Sequence, residues 1–461
     1  TTLDIYFRMD LTNDPIPGLV RKIAVPVTVG IFFDTMYGVV DTFFAGFIST
    51  EALAALSISS PVFLVILSLS FGISQGSTVL IANALGEEEH EKAHEICVQS
   101  ISFGCLFAAG LTVIGLLIAP TLLRVLGATG EYYVIALDYM NLIICGSSFI
   151  VLQNVFNAGL RAEGDTKPIR NVLVAGFFLN CALNPWFMFG GFGIPAMGIK
   201  GLALATVIIL FLGAVYLLHK LSRSRLWKGP FVAMLAPSRT YLEIARQGFP
   251  ASFNMVSLAF LWFVATFYIS KFSTEGVAAY GIGIRIEVFF LIPLYGLSTA
   301  LLSMTGQNNG ANKPERIRET LNTTLKYGLI MVAVGGIFLF FLASPLMTIF
   351  TDDPLVIKHG TIYLKIMAFA LCARVIHFQT NSLLQGLKKP FPVVVICLFR
   401  HVLVPCLLGY FLAFQLGMRE SGVWWSWFIV VWIAAIVSYF YGQRVLRQRL
   451  LSGQEPAESS V

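Results

Sequence analysis

The chain contains few charged residues for its length. Only 12% of its 461 residues are Asp, Glu, Lys or Arg, whereas 57% are hydrophobic and the mean hydropathy is +0.79. A soluble domain carries about 25% charged residues. This composition therefore excludes a soluble globule and predicts an integral membrane protein.

Motifs for catalysis and nucleotide binding are also missing. The sequence has no glycine loop of the phosphate-binding type, no HExxH or GxSxG sequence, and no polar segment large enough for a nucleotide-binding domain. Its seven Cys residues lie in or beside apolar stretches without metal or redox spacing, so we interpret them as core residues and expect no disulfide. We expect neither an enzyme, nor a cofactor, nor a bound nucleotide.

Twelve long apolar segments are present, and each approaches or exceeds the ~20 residues that cross a bilayer as a helix. They cover residues 17–48, 52–84, 95–122, 132–159, 168–190, 196–220, 240–270, 277–308, 317–345, 353–386, 390–414 and 421–444. The predicted fold is all-α, with six helices in an N-lobe (17–220) and six in a C-lobe (240–446). An N-terminal segment (1–16), a cytoplasmic linker (221–239) and a cytoplasmic tail (447–461), expected to be disordered, complete the chain.

The two halves of the chain contain an internal repeat. Residues 26–95 align without a gap with residues 250–319, and the copies share several identical positions, among them Thr42/Thr266, Phe43/Phe267, Ser49/Ser273, Gly72/Gly296, Ser74/Ser298 and Gly86/Gly310. Such a duplication in an apolar chain is typical of secondary transporters, in which two similar halves surround a central cavity. Asp41 is matched by Ala265, so the halves share a shape but not their chemistry.

The basic residues are distributed unevenly between the two predicted membrane faces. With both termini on one side, most of the 31 Lys and Arg fall on that side. The opposite face holds five: Arg124, Lys200, Lys271, Lys358 and Arg419. The positive-inside rule then places both termini in the cytoplasm. The net charge of +6 is explained by topology, and we expect no nucleic-acid partner.

Asp41 is the leading candidate for a functional residue. An acid within a span is costly unless it faces a cavity or is neutralised, and a helix starting near Gly18 would place Asp41 about 35 Å along it, in the outer half. Tyr37 lies one turn away and Asp34 two turns away on the same face. Asp41 could exchange protons with the external solution; the alternative is a helix-terminal Asp bonded to Thr42 or water. Asp34 could instead line the cavity wall.

The fifth span supplies a polar cluster. Asn180 and Asn184 lie four residues apart on one helix face, and Pro185 frees a backbone carbonyl beside them. Their amides can hydrogen-bond either protonation state of a carboxyl group, which makes them candidate partners for Asp41, although interhelical bonding is the alternative. Thr206 and Asn157 could complete this network or be structural.

Two further features concern bending and charge. Pro26 could bend the first helix, and the bend could widen or collapse a pocket around Asp41.

In the C-lobe the sequence places charged and ionisable residues within spans: Arg285, Glu287, Arg374, His377 and Arg400. We favour mutual structural pairing for them, with a role in cavity charge as the alternative.

The chain resembles the multidrug and toxic compound extrusion (MATE) transporters over essentially its whole length. The resemblance rests on Pro26, Val40-Asp41-Thr42, Leu160-Arg161, Gly164-Asp165-Thr166, Pro168, Asn180, Asn184-Pro185, Pro195, Gly198, Gly201, Ala203, Ala205 and Thr206. Within this family the sequence most resembles the DNA-damage-inducible-F (DinF-like) branch. That resemblance implies that Asp41 couples ion movement to transport and that the cargo is organic cations or other amphipathic toxins. Two departures weaken a sodium site: Asn184 stands where some relatives carry an acid, and the seventh span has no acid after Glu243.

The resulting expectation is a proton-coupled multidrug antiporter that works by alternating access. It would be a multi-pass monomer in the cytoplasmic (inner) membrane of a bacterium or archaeon, with small organic cations or drugs as its partners. The alternatives are a sodium-coupled drug antiporter and a lipid-linked oligosaccharide flippase of the same superfamily.

Overall fold

The structure is a computed structural model, and it describes residues 9–48, 50–125, 128–191, 193–227 and 239–452. The predicted N-terminal segment up to residue 8, most of the predicted linker and the last nine residues of the predicted tail lie outside the described residues.

The described residues form α-helices joined by short loops, without a β-strand; Gly191 and Ile194 make one isolated bridge. The helices are α1 (Ile16–Ile48), α2 (Thr50–Gly86), α3 (His90–Val125), α4 (Gly130–Ala162), α5 (Lys167–Phe189), α6 (Ile199–Ser222), α7 (Arg239–Ile269), α8 (Thr274–Gly310), α9 (Pro314–Phe341), α10 (Ala343–Thr348), α11 (Pro354–Gly386), α12 (Phe391–Leu398), α13 (Val404–Tyr410) and α14 (Arg419–Ser452). The π-helical turn Phe399–Leu403 joins α12 to α13, and a second π-helical turn, Phe411–Gln415, follows α13 and completes the same span.

The predicted all-α fold with twelve membrane spans is confirmed. Twelve helices among the described residues are long and apolar enough to cross a bilayer. Their ends differ from the predicted ends because helices continue into polar segments. Helix α3 begins at His90 with Glu91 in its first turn, and α14 continues to Ser452. Apolar content marks the part of a helix that lies in hydrocarbon, not the end of its backbone hydrogen bonding.

Large apolar side chains remain exposed along the outer surfaces of the helices. Leu117 is 73% exposed, Phe263 69% and Leu407 72%. Exposed side chains of this size on a long helix are expected where lipid is the solvent.

The helices form two compact units. Of the described residues, those between 29 and 252 form the first unit, and those up to 28 together with those from 253 onwards form the second. The boundaries run through α1 after Thr28 and through α7 after Ser252, whereas the predicted lobes were drawn at loops. These two boundaries are equivalent positions of the repeat, and each follows a proline, Pro26 or Pro250, by two residues.

Glycines explain how the start of α7 packs within the first unit. Gly72 of α2 lies against it so closely that a Cβ at Gly72 would stand 2.8 Å from the carbonyl oxygen of Gly248. In the second unit, a Cβ at Gly296 of α8 would stand 2.5 Å from the carbonyl oxygen of Ala24 in the first part of α1. Gly72 and Gly296 are repeat equivalents, and so are Ala24 and Gly248. The same backbone contact is therefore made once in each unit.

Candidate functional site

The side chain of Asp41 is held by two amides in the first unit. Asn180 Nδ2 donates a hydrogen bond of 2.8 Å to Asp41 Oδ1, and Asn184 Nδ2 donates one of 2.9 Å to the same oxygen. Asp41 itself is half-buried, while both asparagines are completely buried. The structure thus brings together the acid and the two amides that the sequence paired.

Local sequence explains how α5 presents these amides. Residues four apart lie one above the other on a helix, so Asn180 and Asn184 face the same side. The helix continues through Pro185 to Phe189. Among the described residues, neither asparagine has a hydrogen-bond partner for its Oδ1 atom. Each amide therefore donates to Asp41 and keeps an unused acceptor beside it.

A tyrosine and a threonine form a second layer near this acid. The Tyr37 hydroxyl donates to Thr206 Oγ1 at 3.1 Å, and Thr206 in turn donates to the Leu202 carbonyl. Tyr139 of α4 is also buried and close enough to Asp41 to interact with it electrostatically. Sequence analysis predicted Tyr37 and Thr206 but missed Tyr139, whose pattern does not distinguish it from an ordinary core aromatic.

The structure argues against a helix-terminal role for Asp41. Helix α1 continues for seven residues beyond it to Ile48. The Thr42 hydroxyl bonds the Gly38 carbonyl of its own helix at 2.9 Å, so it does not serve the acid.

Two predicted members lie outside the hydrogen-bond cluster. Asp34 is exposed on α1, and within the described part of the chain it has no hydrogen-bond or ion-pair partner. Asn157 is buried five residues before the end of α4 and donates no hydrogen bond to Asp41. It lies near the opposite end of its span from Tyr139, since 18 residues of helix extend about 27 Å. The expected participation of Asn157 in the network is thus not what the structure shows.

The electrostatic surroundings of Asp41 are neutral. Within the described ranges, no Lys, Arg or His side chain forms an ion pair with it, in contrast to Asp138, which pairs with Lys200 at 2.9 Å on the surface. The described part of the chain contains no cluster of three or more metal-ligating side chains. A carboxyl group with amide partners and no counter-charge can take up a proton without disrupting an ion pair.

A separate polar cluster lies in the second unit. Arg374 pairs with Glu287 Oε1 at 2.7 Å, and the Tyr363 hydroxyl donates to Glu287 Oε2 at 2.7 Å. This pair confirms part of the structural pairing expected from the sequence. Arg285 is exposed and outside the cluster, and Arg400 has no carboxylate partner among the described residues, so for these two the expected pairing was wrong.

Twelve spans, a duplicated scaffold and an acid within a span that has neutral partners together are typical of a polytopic membrane transporter. A sequence model of the MatE family matches the chain twice, over residues 26–186 and 250–411. The chain therefore belongs to the MatE family, as the sequence resemblance predicted. The two matches begin at equivalent positions of the internal repeat.

Individual relatives agree with this assignment. The chain is 30% identical over 405 residues to a probable multidrug resistance protein NorM of Thermotoga maritima, and the alignment covers 85% of each chain. It is 28% identical over 444 residues to an FAD transporter of Shewanella oneidensis, covering 95% of this chain and 97% of that one. The fold matches the outward-facing structure of a multidrug resistance MATE family transporter with a TM-score of 0.89, 24% identity and coverage of 95% and 97%.

Proposed function

We propose that the protein is a proton-coupled antiporter that exports organic cations and other amphipathic toxins, with Asp41 as the proton-binding group. The observation that carries this proposal is the pair of hydrogen bonds from Asn180 and Asn184 to one oxygen of Asp41. They hold the carboxylate without neutralising it. MatE relatives named for multidrug resistance support the cargo class.

Protonation would change this cluster. An ionised carboxylate only accepts hydrogen bonds, whereas a protonated one also donates. A proton on Asp41 Oδ1, the oxygen that accepts both amide hydrogen bonds, would place an O–H donor beside two N–H donors. The cluster would then rearrange, and the unused Oδ1 atoms of Asn180 and Asn184 would provide new acceptors. Because Asp41 lies on α1 and the asparagines on α5, the change alters the contact between these helices.

Coupling to transport then requires that the two protonation states favour different conformations. An external proton on Asp41 would favour the state that releases cargo, and loss of the proton to the cytoplasm would restore the binding state. The predicted orientation, with both termini in the cytoplasm, sets the direction as export. The site is proposed to work in the cytoplasmic membrane and in a monomer.

The test is cation-dependent proton flux in liposomes that contain the purified protein and a pH-sensitive dye. Ethidium serves as the cargo. Asp41→Asn is expected to reduce the flux to the level of protein-free liposomes while the protein stays folded, because an amide cannot take up and release a proton. Asp138→Asn is the matched control, since Asp138 lies in the same unit in a surface ion pair. Wild-type flux from folded Asp41→Asn protein would contradict the proposal.

An anionic cofactor is a second candidate cargo. The FAD transporter of Shewanella oneidensis aligns with 95% of this chain, which favours including FAD beside ethidium in the same liposome assay. Proton flux that depends on FAD and not on ethidium would show that the cargo is an anionic cofactor and not an organic cation. The role of Asp41 would then be tested with Asp41→Asn protein and FAD in the same assay.

A further inference from the structure

A cavity of about 100 Å³ lies within the second unit. Its walls come from α7, α8, α11, α14 and the span that contains the first π-helical turn. It has space for several waters or for the anionic group of a ligand. Its lining residues all belong to the second unit, and they include two arginines and one glutamate.

The charges of this cavity do not balance. Both oxygens of Glu287 are already engaged, one by Arg374 and the other by the Tyr363 hydroxyl. Arg400 is only 8% exposed, yet among the described residues no carboxylate or hydrogen-bond acceptor contacts its guanidinium, and its Nε atom is buried without a partner. A buried and uncompensated charge costs several kcal/mol. The cavity therefore carries one excess positive charge.

The neighbouring histidines do not supply the missing negative charge. His377 Nε2 accepts from the Asn381 amide at 3.0 Å, so the ring proton lies on Nδ1, which faces Ser438 Oγ at 3.2 Å. His401 Nδ1 lies 2.8 Å from Ser257 Oγ, while its Nε2 atom is buried without a partner. An imidazole ring carries no negative charge in either protonation state, so these rings add polar contacts to the cavity but cannot balance the charge of Arg400.

The backbone explains why Arg400 lines the cavity. Pro405 has no N–H to donate to the carbonyl of His401, one turn earlier. The helix widens at this point into the π-helical turn Phe399–Leu403, closed by a hydrogen bond from the Val404 N–H to the Phe399 carbonyl. Single π turns within α-helices occur frequently at functional sites. Here the turn includes both Arg400 and His401.

Aromatic side chains surround the charged part. Trp262, Tyr295, Phe378 and Trp427 line the same cavity. The rings of Tyr295 and Phe378 meet edge to face with centroids 5.3 Å apart. Flat apolar walls beside an unpaired guanidinium suit a ligand that has an aromatic ring and an anionic group, because arginine binds carboxylates and phosphates while the rings stack on aromatic surfaces.

We propose that this cavity is a binding site for aromatic organic anions, with the carboxylate or phosphate on Arg400 and the ring against the aromatic wall. The proposal assigns a binding site to anionic compounds, the second class of cargo considered above. It rests on the proposed function only in so far as binding at this site leads to transport. Binding itself requires neither a proton gradient nor Asp41.

The experiment measures binding to the purified full-length protein in detergent by isothermal titration calorimetry. The probes are 1-naphthoate, 1-naphthylmethanol and 1-naphthylmethylammonium, which share a ring and differ in charge. We expect 1-naphthoate to bind at least about tenfold more tightly than the other two, equivalent to about 1.4 kcal/mol. Arg400→Gln is expected to remove this preference. Arg285→Gln is the matched control, because Arg285 lies on α8 of the same unit but is exposed.

A second variant keeps the proposal testable if Arg400→Gln does not fold. Glu287→Gln removes the only carboxylate among the described residues that line the cavity and should strengthen 1-naphthoate binding. Asp41→Asn protein should bind 1-naphthoate like the wild type, so a failure of proton coupling is distinguishable from a failure of this site. Equal affinity for the three probes, or preference for the ammonium compound, would overturn the proposal.

Discussion

Glu163 provides a pH-dependent test of how the first unit is stabilised. It follows α4 in the loop before α5, outside the membrane spans, and its Oε1 atom is buried without a hydrogen-bond partner among the described residues. Burial raises the pKa of Glu163 to about 7, while the Arg225 guanidinium and the backbone N–H groups of Arg225 and Leu226 act in the opposite direction. The ordinary value for this carboxyl group is 4.5.

The sign of the effect follows from proton binding. Between pH 4.5 and about 7 the folded protein retains a proton on Glu163 that the unfolded chain has lost. Stability therefore falls as the pH rises through this window and changes no further above it. Because one pKa unit corresponds to about 1.4 kcal/mol, the loss is at most about 3.5 kcal/mol, and partial exposure of the side chain makes it smaller.

The perturbation is Glu163→Gln, which keeps the shape of the side chain but cannot ionise. Thermal unfolding in detergent is measured for wild type and variant at pH 5 and pH 8. The variant should resemble the wild type at pH 5 and exceed it in stability at pH 8. Glu91→Gln, at an exposed position of α3, should show no such difference. Equal stability changes of Glu163→Gln at both pH values, or a less stable variant at pH 8, would refute this account of Glu163.

Three further predictions concern transport. Asn180→Ala and Asn184→Ala should each alter the pH profile of transport, because each removes a hydrogen bond to Asp41, and unaltered profiles in both would reduce the amides to packing groups. Replacing sodium by choline at fixed pH should leave flux largely intact, and a strict sodium requirement would reassign the coupling ion. Pro26→Ala should impair transport more than Pro250→Ala, measured as ethidium efflux, because the second copy has Ala265 at the position where the first copy has Asp41; equal losses would assign both prolines to the common scaffold.

The membrane spans could be predicted because length and apolarity alone determine which segments cross a bilayer. The contact of Asp41 with α5 could also be predicted, since an acid in a span requires polar partners and two amides four residues apart form one polar face. The unit boundaries inside α1 and α7 could not be predicted. They depend on close backbone contacts at Gly72 and Gly296, which a glycine in a sequence does not specify.

Other features required the three-dimensional structure for a similar reason. Whether Arg400 pairs with Glu287 depends on distances between α8 and the π-helical turn, and Glu287 is occupied by Arg374 instead. His401 was missed although it stands between Arg400 and Pro405 in an apolar segment. Two adjacent ionisable residues shortly before a proline, within an apolar span, form a sequence pattern that could have identified His401. The DinF-like branch, the coupling ion and the orientation remain predictions.

The two copies of the repeat share positions that form the scaffold but differ at positions that carry acidic side chains. Contacts at Gly72 and Gly296 are equivalent in the two copies, but the acids are not. Asp41 corresponds to Ala265, which is buried among apolar side chains, and Glu287 corresponds to Phe63, which packs on an apolar cluster.

The two copies therefore place acids at different positions and give them different partners. The acid of the first copy, Asp41, has neutral amide partners and is the group proposed to bind the proton. That of the second is neutralised by Arg374, which leaves Arg400 as the unpaired charge. Because the duplicated backbone contacts do not involve either acid, substitutions at these positions change the chemistry of one unit without disturbing the packing that both units share. A proton site in one unit and an anion site in the other are thus compatible with a single duplicated fold.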